Sequence, residues 1–168
     1  MEKEDKNKIS NVIKILYYSS LTVSMLVGFW HFFVPDLFRW YDYLPLQYEN
    51  LIAGIDYTNL CFSALLFGSS LVLIMLGKSA LRLNYETIVF YTFLTIVWVF
   101  RACLATFIRP WPLDPIPAAA IGQLIASVSL ALMMVIVTVI LWIRRSSKTI
   151  WSVKWNWYIL NKLGIIVL

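Results

Sequence analysis

The stretch AAAIGQLIASVSLALMMVIVTVILWI, residues 118–143, carries no charged residue and is followed at once by Arg144-Arg145. A helix rises ~1.5 Å per residue and the hydrocarbon core of a bilayer is ~30 Å thick, so about 20 apolar residues suffice to cross it. This run exceeds that length, and the paired arginines behind it act as a stop at headgroup level. Pro115 and Pro117 frame its start, where proline removes no helical hydrogen bond.

Three further apolar runs precede it. Residues 86–108 are closed by Arg109-Pro110-Trp111-Pro112, residues 57–76 stop before Gly77-Lys78, and residues 12–34 are stopped by Pro35. The first follows several lysines, as in a signal peptide. Its apolar part exceeds the usual ~7–15 residues and no small-residue cleavage site follows, so it reads as a retained span. The expected fold is all-α: a polytopic transmembrane four-helix bundle, residues 12–145, running up-down-up-down. The short 78–85 and 109–117 links force antiparallel neighbours. Residues 1–11 mix charges without an apolar period and are expected to be an unstructured or frayed cytoplasmic tail. Residues 36–56 are too polar to span and rich in Trp and Tyr, which predicts an interfacial outer loop. Residues 146–168 mix Lys148, Lys154 and Lys162 with Trp151, Trp155 and Trp157, which predicts a cytoplasmic interfacial tail, not a fifth span.

Composition agrees with this reading. Of 168 residues, 61% are hydrophobic and 14% charged, and the mean hydropathy is +0.76, whereas a soluble domain has ~45–50% apolar and ~25% charged residues. The net charge of +5 is no sign of nucleic acid, because the basic residues sit at span edges and no nucleic-acid-binding motif is present. Lys3, Lys6, Lys8 and Lys14 flank the first span, Lys78 and Arg82 fill the second link, and Arg144, Arg145, Lys148, Lys154 and Lys162 follow the fourth. Only Arg39 and Arg109 fall on the other side. The positive-inside rule therefore predicts a multi-pass protein with both termini and the 78–85 link in the cytoplasm.

Polar residues inside spans are costly, about 2.5–3.5 kcal/mol for a mid-helix arginine on insertion scales, so their positions carry information. Arg101 lies in the outer half of the third span. His31 at the end of the first, Asp56 and Asn59 at the start of the second, and Gln123 early in the fourth fall at a similar depth. Helical spacing puts Ser20 and Ser24 with His31, Ser63 and Ser70 with Asp56 and Asn59, Trp98 and Ala105 with Arg101, and Ser127 and Ala131 with Gln123. The expectation is a polar pocket beneath the aromatic loop, with Arg101 and Asp56 as its charged pair. Ordinary interhelical hydrogen bonding accounts for the same residues without a ligand. Gly68, Gly122 and Ala126 read as close-packing positions. Cys61 and Cys103 lie in apolar runs with no C-x-x-C, and no cofactor or metal site is expected. One histidine excludes bis-histidine haem within a subunit.

The segment Gly28-Phe29-Trp30-His31-Phe32-Phe33-Val34-Pro35 with Phe38 and Trp40, the element Asn59-Leu60-Cys61-Phe62-Ser63, and Arg109-Pro110-Trp111-Pro112 together resemble small bacterial four-span proteins of the DoxX-like kind. The resemblance covers roughly residues 15–143. It implies a four-helix bundle in a bacterial inner membrane and carries no function across. Three roles follow from the residues. The first is a module binding a lipid-like or apolar small molecule through His31, Asp56, Asn59, Arg101 and Gln123. The second is a structural or accessory subunit, with a membrane-protein partner or as a homo-oligomer. The third is a quinone- or thiol-linked redox enzyme using Cys61 and Cys103. No internal inverted repeat suggests a transporter.

Overall fold

The computed structural model describes residues 2–45, 47–108 and 117–162, with side chains described for 11–45, 47–108, 118 and 121–148. The helices are α1 (Glu2–His31), a short α2 (Val34–Leu37), a 3-10 turn at Trp40–Asp42, α3 (Glu49–Met75), a short α4 (Gly77–Leu81), α5 (Tyr85–Cys103) continued by a π-helical turn at Leu104–Ile108, and α6 (Pro117–Lys162). Four segments are long and apolar enough to cross a membrane: Asn11–His31, Glu49–Met75, Tyr85–Ile108 and Ile121–Lys148. The chain is an all-α, four-helix integral membrane protein.

Hydrogen-bond pairings fix the topology. Tyr17 meets Leu73, Ser24 meets Ser70 and His31 meets Asn59, so α3 descends as α1 rises. Thr92 pairs with Trp142 and Thr95 with Thr138, so α6 runs against α5. Tyr91 reaches Ser20 and Trp98 reaches Ser24, which makes α1 and α5 parallel. The broadest packing joins α1 to α3 and α5 to α6, with α1 also against α6 and α3 against α5. This closes an up-down-up-down ring in which α1 and α5 face each other across the centre.

The inside-outside pattern is that of a protein solvated by hydrocarbon. Leu65, Met75, Phe93 and Ile125 are exposed, while Ser20, Ser24, Ser63 and Ser70 are wholly buried. In water this distribution would be costly; against lipid, the hydroxyls are the groups that must turn inward. Two glycines set close approaches. A Cβ on Gly28 would lie 2.5 Å from the backbone nitrogen of Phe67, and one on Gly77 would collide with the Tyr18 ring. At Gly68 and Gly122 a Cβ would meet nothing within 4 Å. Gly28 and Gly77, not the expected Gly68 and Gly122, therefore permit tight packing.

Several boundaries differ from the sequence reading. Helix α1 begins at Glu2, so residues 2–11 are helical and not a frayed tail. Glu2 and Lys6, and Glu4 and Lys8, are acid-before-base pairs one turn apart, the orientation that supports a helix. Its other end comes at His31, and Pro35 sits in the first turn of α2, where its missing N–H costs nothing. Helix α3 starts at Glu49, eight residues before the expected 57, which shortens the loop to 32–48. Glu49 in the first turn complements the helix dipole, and Leu51, Ile52 and Ile55 follow with no proline between them, Gly54 being carried within the helix. Helix α6 runs unbroken through Arg144-Arg145 to Lys162, so the tail continues the fourth helix as far as that residue. The Arg109-Pro110-Trp111-Pro112 turn lies outside the described residues. In the second link, the Asn84 side chain accepts the Thr87 N–H at 3.1 Å and caps α5, just after Leu83 takes a left-handed conformation (φ 66°).

Candidate polar cavity at one end of the bundle

The four long helices splay at the end carrying the 32–48 connection and leave a cavity of about 920 Å³. Pockets that bury small ligands span ~300–1,000 Å³, so this one falls within that range. Helix α1 supplies Val27, Trp30 and His31, α5 supplies Trp98 and Arg101, and α6 supplies Gly122, Gln123, Ala126 and Ser127. One face of α3 contributes Asn50, Gly54 and Thr58 at four-residue intervals, with Leu51, Ile55, Asn59 and Phe62 beside them. Val34 of α2, with Phe38 and Trp40 just after it, lies over the opening.

Four of the five residues singled out from the sequence line this space: His31, Asn59, Arg101 and Gln123. Their local roles differ. The Asn59 amide donates to the His31 carbonyl at 3.0 Å, satisfying one of the carbonyls left open at the end of α1. The His31 ring meets Phe62 edge-on, with centroids 5.6 Å apart. The Arg101 guanidinium lies over the Trp98 ring, 5.6 Å from its centroid, a cation–π arrangement. Its Nε is fully buried and finds no hydrogen-bond partner among the described residues. Gln123 is half-buried.

Asp56 is the exception, and the expected Arg101–Asp56 pair is not formed. The Asp56 carboxylate accepts the Tyr41 hydroxyl at 2.7 Å, and Asp56 does not line the cavity. Helical periodicity ranks the faces of a helix, but a residue of the preceding 3-10 turn, fifteen positions earlier in the chain, decided this partnership. The carboxylate holds the Tyr41 hydroxyl protonated, first by accepting its hydrogen bond and then through burial and its charge, pushing it up to about 12. The bond ties the 3-10 turn bearing Trp40 and Tyr41 to α3. Next to it, Arg39 takes a left-handed backbone (φ 52°) and pairs with Asp42 at 2.6 Å on the exposed face.

The sequence reading missed Trp30, Trp40, Asn50, Gly54 and Thr58. Asn50, Gly54 and Thr58 share the four-residue period of α3, and the first two were hidden because residues 36–56 were placed in the loop. Cys61 and Cys103 are exposed free thiols and neither lines the cavity. Among the described residues no group of three or more His, Cys, Asp or Glu could hold a metal ion.

At the other end, polar groups are paired. Tyr17 donates to the Leu73 carbonyl and stacks on Tyr91, Ser20 and Ser24 bond across to Tyr91 and Ser70, and Thr95 meets Thr138. Compared with family models, with curated proteins and with solved structures, the chain matches none. The class of the protein therefore rests on fold and composition: a multi-pass, all-α integral membrane protein with a cavity at one end of its bundle.

Proposed function

We propose that this protein is a small membrane module that binds a lipid-like molecule in the cavity between α1, α3, α5 and α6. The carrying observation is the cavity of about 920 Å³ with Arg101 in its lining, a side chain whose buried Nε finds no hydrogen-bond partner among the described residues. A bundle that needed Arg101 only for packing would have given that N–H an acceptor, because an orphan donor in a dry site costs ~1–3 kcal/mol. The excess of lysine and arginine on the opposite end supports cytoplasmic termini and an outward-facing cavity, in the bacterial inner membrane that the DoxX-like resemblance implies.

Filling the cavity tests this. Gly122 lines it and a Cβ there meets nothing within 4 Å, so Gly122→Leu adds volume without a clash and improves helix propensity. Protein purified in mild detergent should lose its co-purifying small molecule, read by mass spectrometry of organic extracts, while its melting temperature holds or rises. The same molecule in the same amount from both proteins overturns the proposal. A role as an accessory subunit draws on one observation, the continuation of α6 to Lys162 beyond its spanning part. Cross-linking in native membranes that yields only monomers would remove it. The redox reading draws on none.

A further inference from the structure

The cavity's polar lining combines amides and hydroxyls (Asn50, Thr58, Asn59, Gln123 and Ser127) with a single cation. Arg101 is the one formally charged residue among the described residues that line it, and no carboxylate accompanies it. The acid at the right depth, Asp56, is engaged by Tyr41. The Arg101 guanidinium carbon lies 5.6 Å from the Trp98 ring centroid, and its Nε, an N–H donor, is buried without a partner among the described residues. Gln123, on the neighbouring helix α6, also lines the cavity, makes no side-chain hydrogen bond among the described residues and carries two N–H donors. Val27, Leu51, Ile55 and Phe62 give the wall its apolar surface.

A cation at this depth is costly without a counter-charge, and removing one partner of a buried pair is worse than never having buried it. A planar guanidinium edge matches carboxylate and phosphate oxygens two at a time. We infer that the ligand of this cavity is an acidic amphiphile, its carboxylate or phosphate head on Arg101 and Gln123 and its chain against the apolar wall. This rests on the proposed binding role and specifies the chemistry of the occupant.

The experiment uses the full chain in a neutral maltoside detergent and four C16 probes: hexadecanoate, hexadecyl phosphate, hexadecanol and hexadecyltrimethylammonium. Binding is read as the ligand-dependent shift of the melting curve. Both acids should bind at least ~10-fold more tightly than the alcohol, the difference a charge-assisted hydrogen bond supplies, and the cation weakest. Arg101→Gln should remove this preference while keeping alcohol binding, and Arg101→Lys should retain part of it. Equal affinity of acid and alcohol, or a preference unchanged in Arg101→Gln, overturns the acidic head and leaves the cavity reading intact. Failure of all four probes overturns both. Acetate or inorganic phosphate binding as tightly as the C16 acids overturns the amphiphile in favour of a free anion. Asp114 lies outside the described residues, so Asp114→Asn is the matching control. A preference that appears only in that variant would place the counter-ion within the chain and overturn the inference.

Discussion

Replacing Ser24 by alanine should cost more than replacing its partner Ser70, and the reason lies in which way the hydrogens point. The indole N–H of Trp98 donates to Ser24 Oγ at 2.8 Å, Ser24 and Ser70 hydroxyls lie 2.8 Å apart, and Ser70 donates to the Leu66 carbonyl at 2.8 Å. A serine has one hydrogen to give. Because Ser70 spends its hydrogen on Leu66, Ser24 must donate to Ser70, and the chain runs from α5 through α1 to α3. Ser24→Ala strips the Trp98 N–H, on a side chain only 2% exposed, of its acceptor. An orphaned donor costs ~1–3 kcal/mol. Ser70→Ala leaves Trp98 satisfied, and the Ser24 hydroxyl can turn to the carbonyl one turn back in its own helix. Its cost should approach the ~0.6 kcal/mol average for interhelical bonds in membranes. The difference, roughly 1 kcal/mol, is about fivefold in the folding equilibrium. Equilibrium unfolding in mixed micelles measures both, and Trp98→Phe closes the cycle: in its background Ser24→Ala should lose most of its cost. Equal costs for the two serines, or Ser70→Ala the worse, would refute the donor order.

Gly28→Ala should destabilise the bundle by about 1–3 kcal/mol, as overpacking does, because its Cβ would press on the backbone of Phe67. Gly68→Ala, with open space around it, should be neutral or gain up to about 1 kcal/mol of helix propensity; the same unfolding assay separates them. Tyr41, whose folded value of about 12 lies above its ordinary 10.0, adds stability that is complete below pH 10 and lost as pH rises through about 12. The stability difference between wild type and Tyr41→Phe should therefore stay level from pH 7 to 9 and shrink across the alkaline window, and a level difference up to pH 12 would sink this reading. Cys61 and Cys103 are exposed and unpaired, so a small maleimide should label both to completion in non-reducing detergent, with little change in melting temperature.

The spans were legible because each is a long run nearly free of acidic and basic residues, apart from Lys14 and His31 in the first and Glu86 and Arg101 in the third. Their ends were not, for reasons particular to each. The start of α3 hid behind Asp56 and Glu49, which look like loop residues although an acid in a first turn favours a helix. Residues 2–11 hid their helix because they show no apolar period. Depth counting brought out His31, Asn59, Arg101 and Gln123 because antiparallel topology sorts residues by height from sequence position alone. It misassigned Asp56, since height and face do not say which loop side chain will arrive; Tyr41 did. Pairings such as Ser24 with Ser70 and Ser20 with Tyr91 also escaped, because they depend on rotation of one helix against another. Gly28 was set apart from Gly68 by the same rotation.

The two ends of this bundle treat polar groups in opposite ways, and the contrast bears on what the cavity is for. From Tyr17 to Ser24 on α1, each buried hydroxyl meets a partner, on another helix or one turn back in its own. That end provides the rigidity, because each interhelical bond fixes two helices in rotation as well as distance. From Val27 onward the same α1 face borders open space, and the groups along it include the orphaned Nε of Arg101. Trp98 joins the halves: its N–H ends the hydroxyl chain at Ser24, and its ring face carries the arginine. Trp98 thereby ties the position of the guanidinium to the packing of α1 against α5. Packing alone would call for neither the open volume nor the unspent donor. A site pays for both by leaving local stability unclaimed at one end, and the closed hydroxyl network at the other end supplies the stability that makes such a vacancy tolerable.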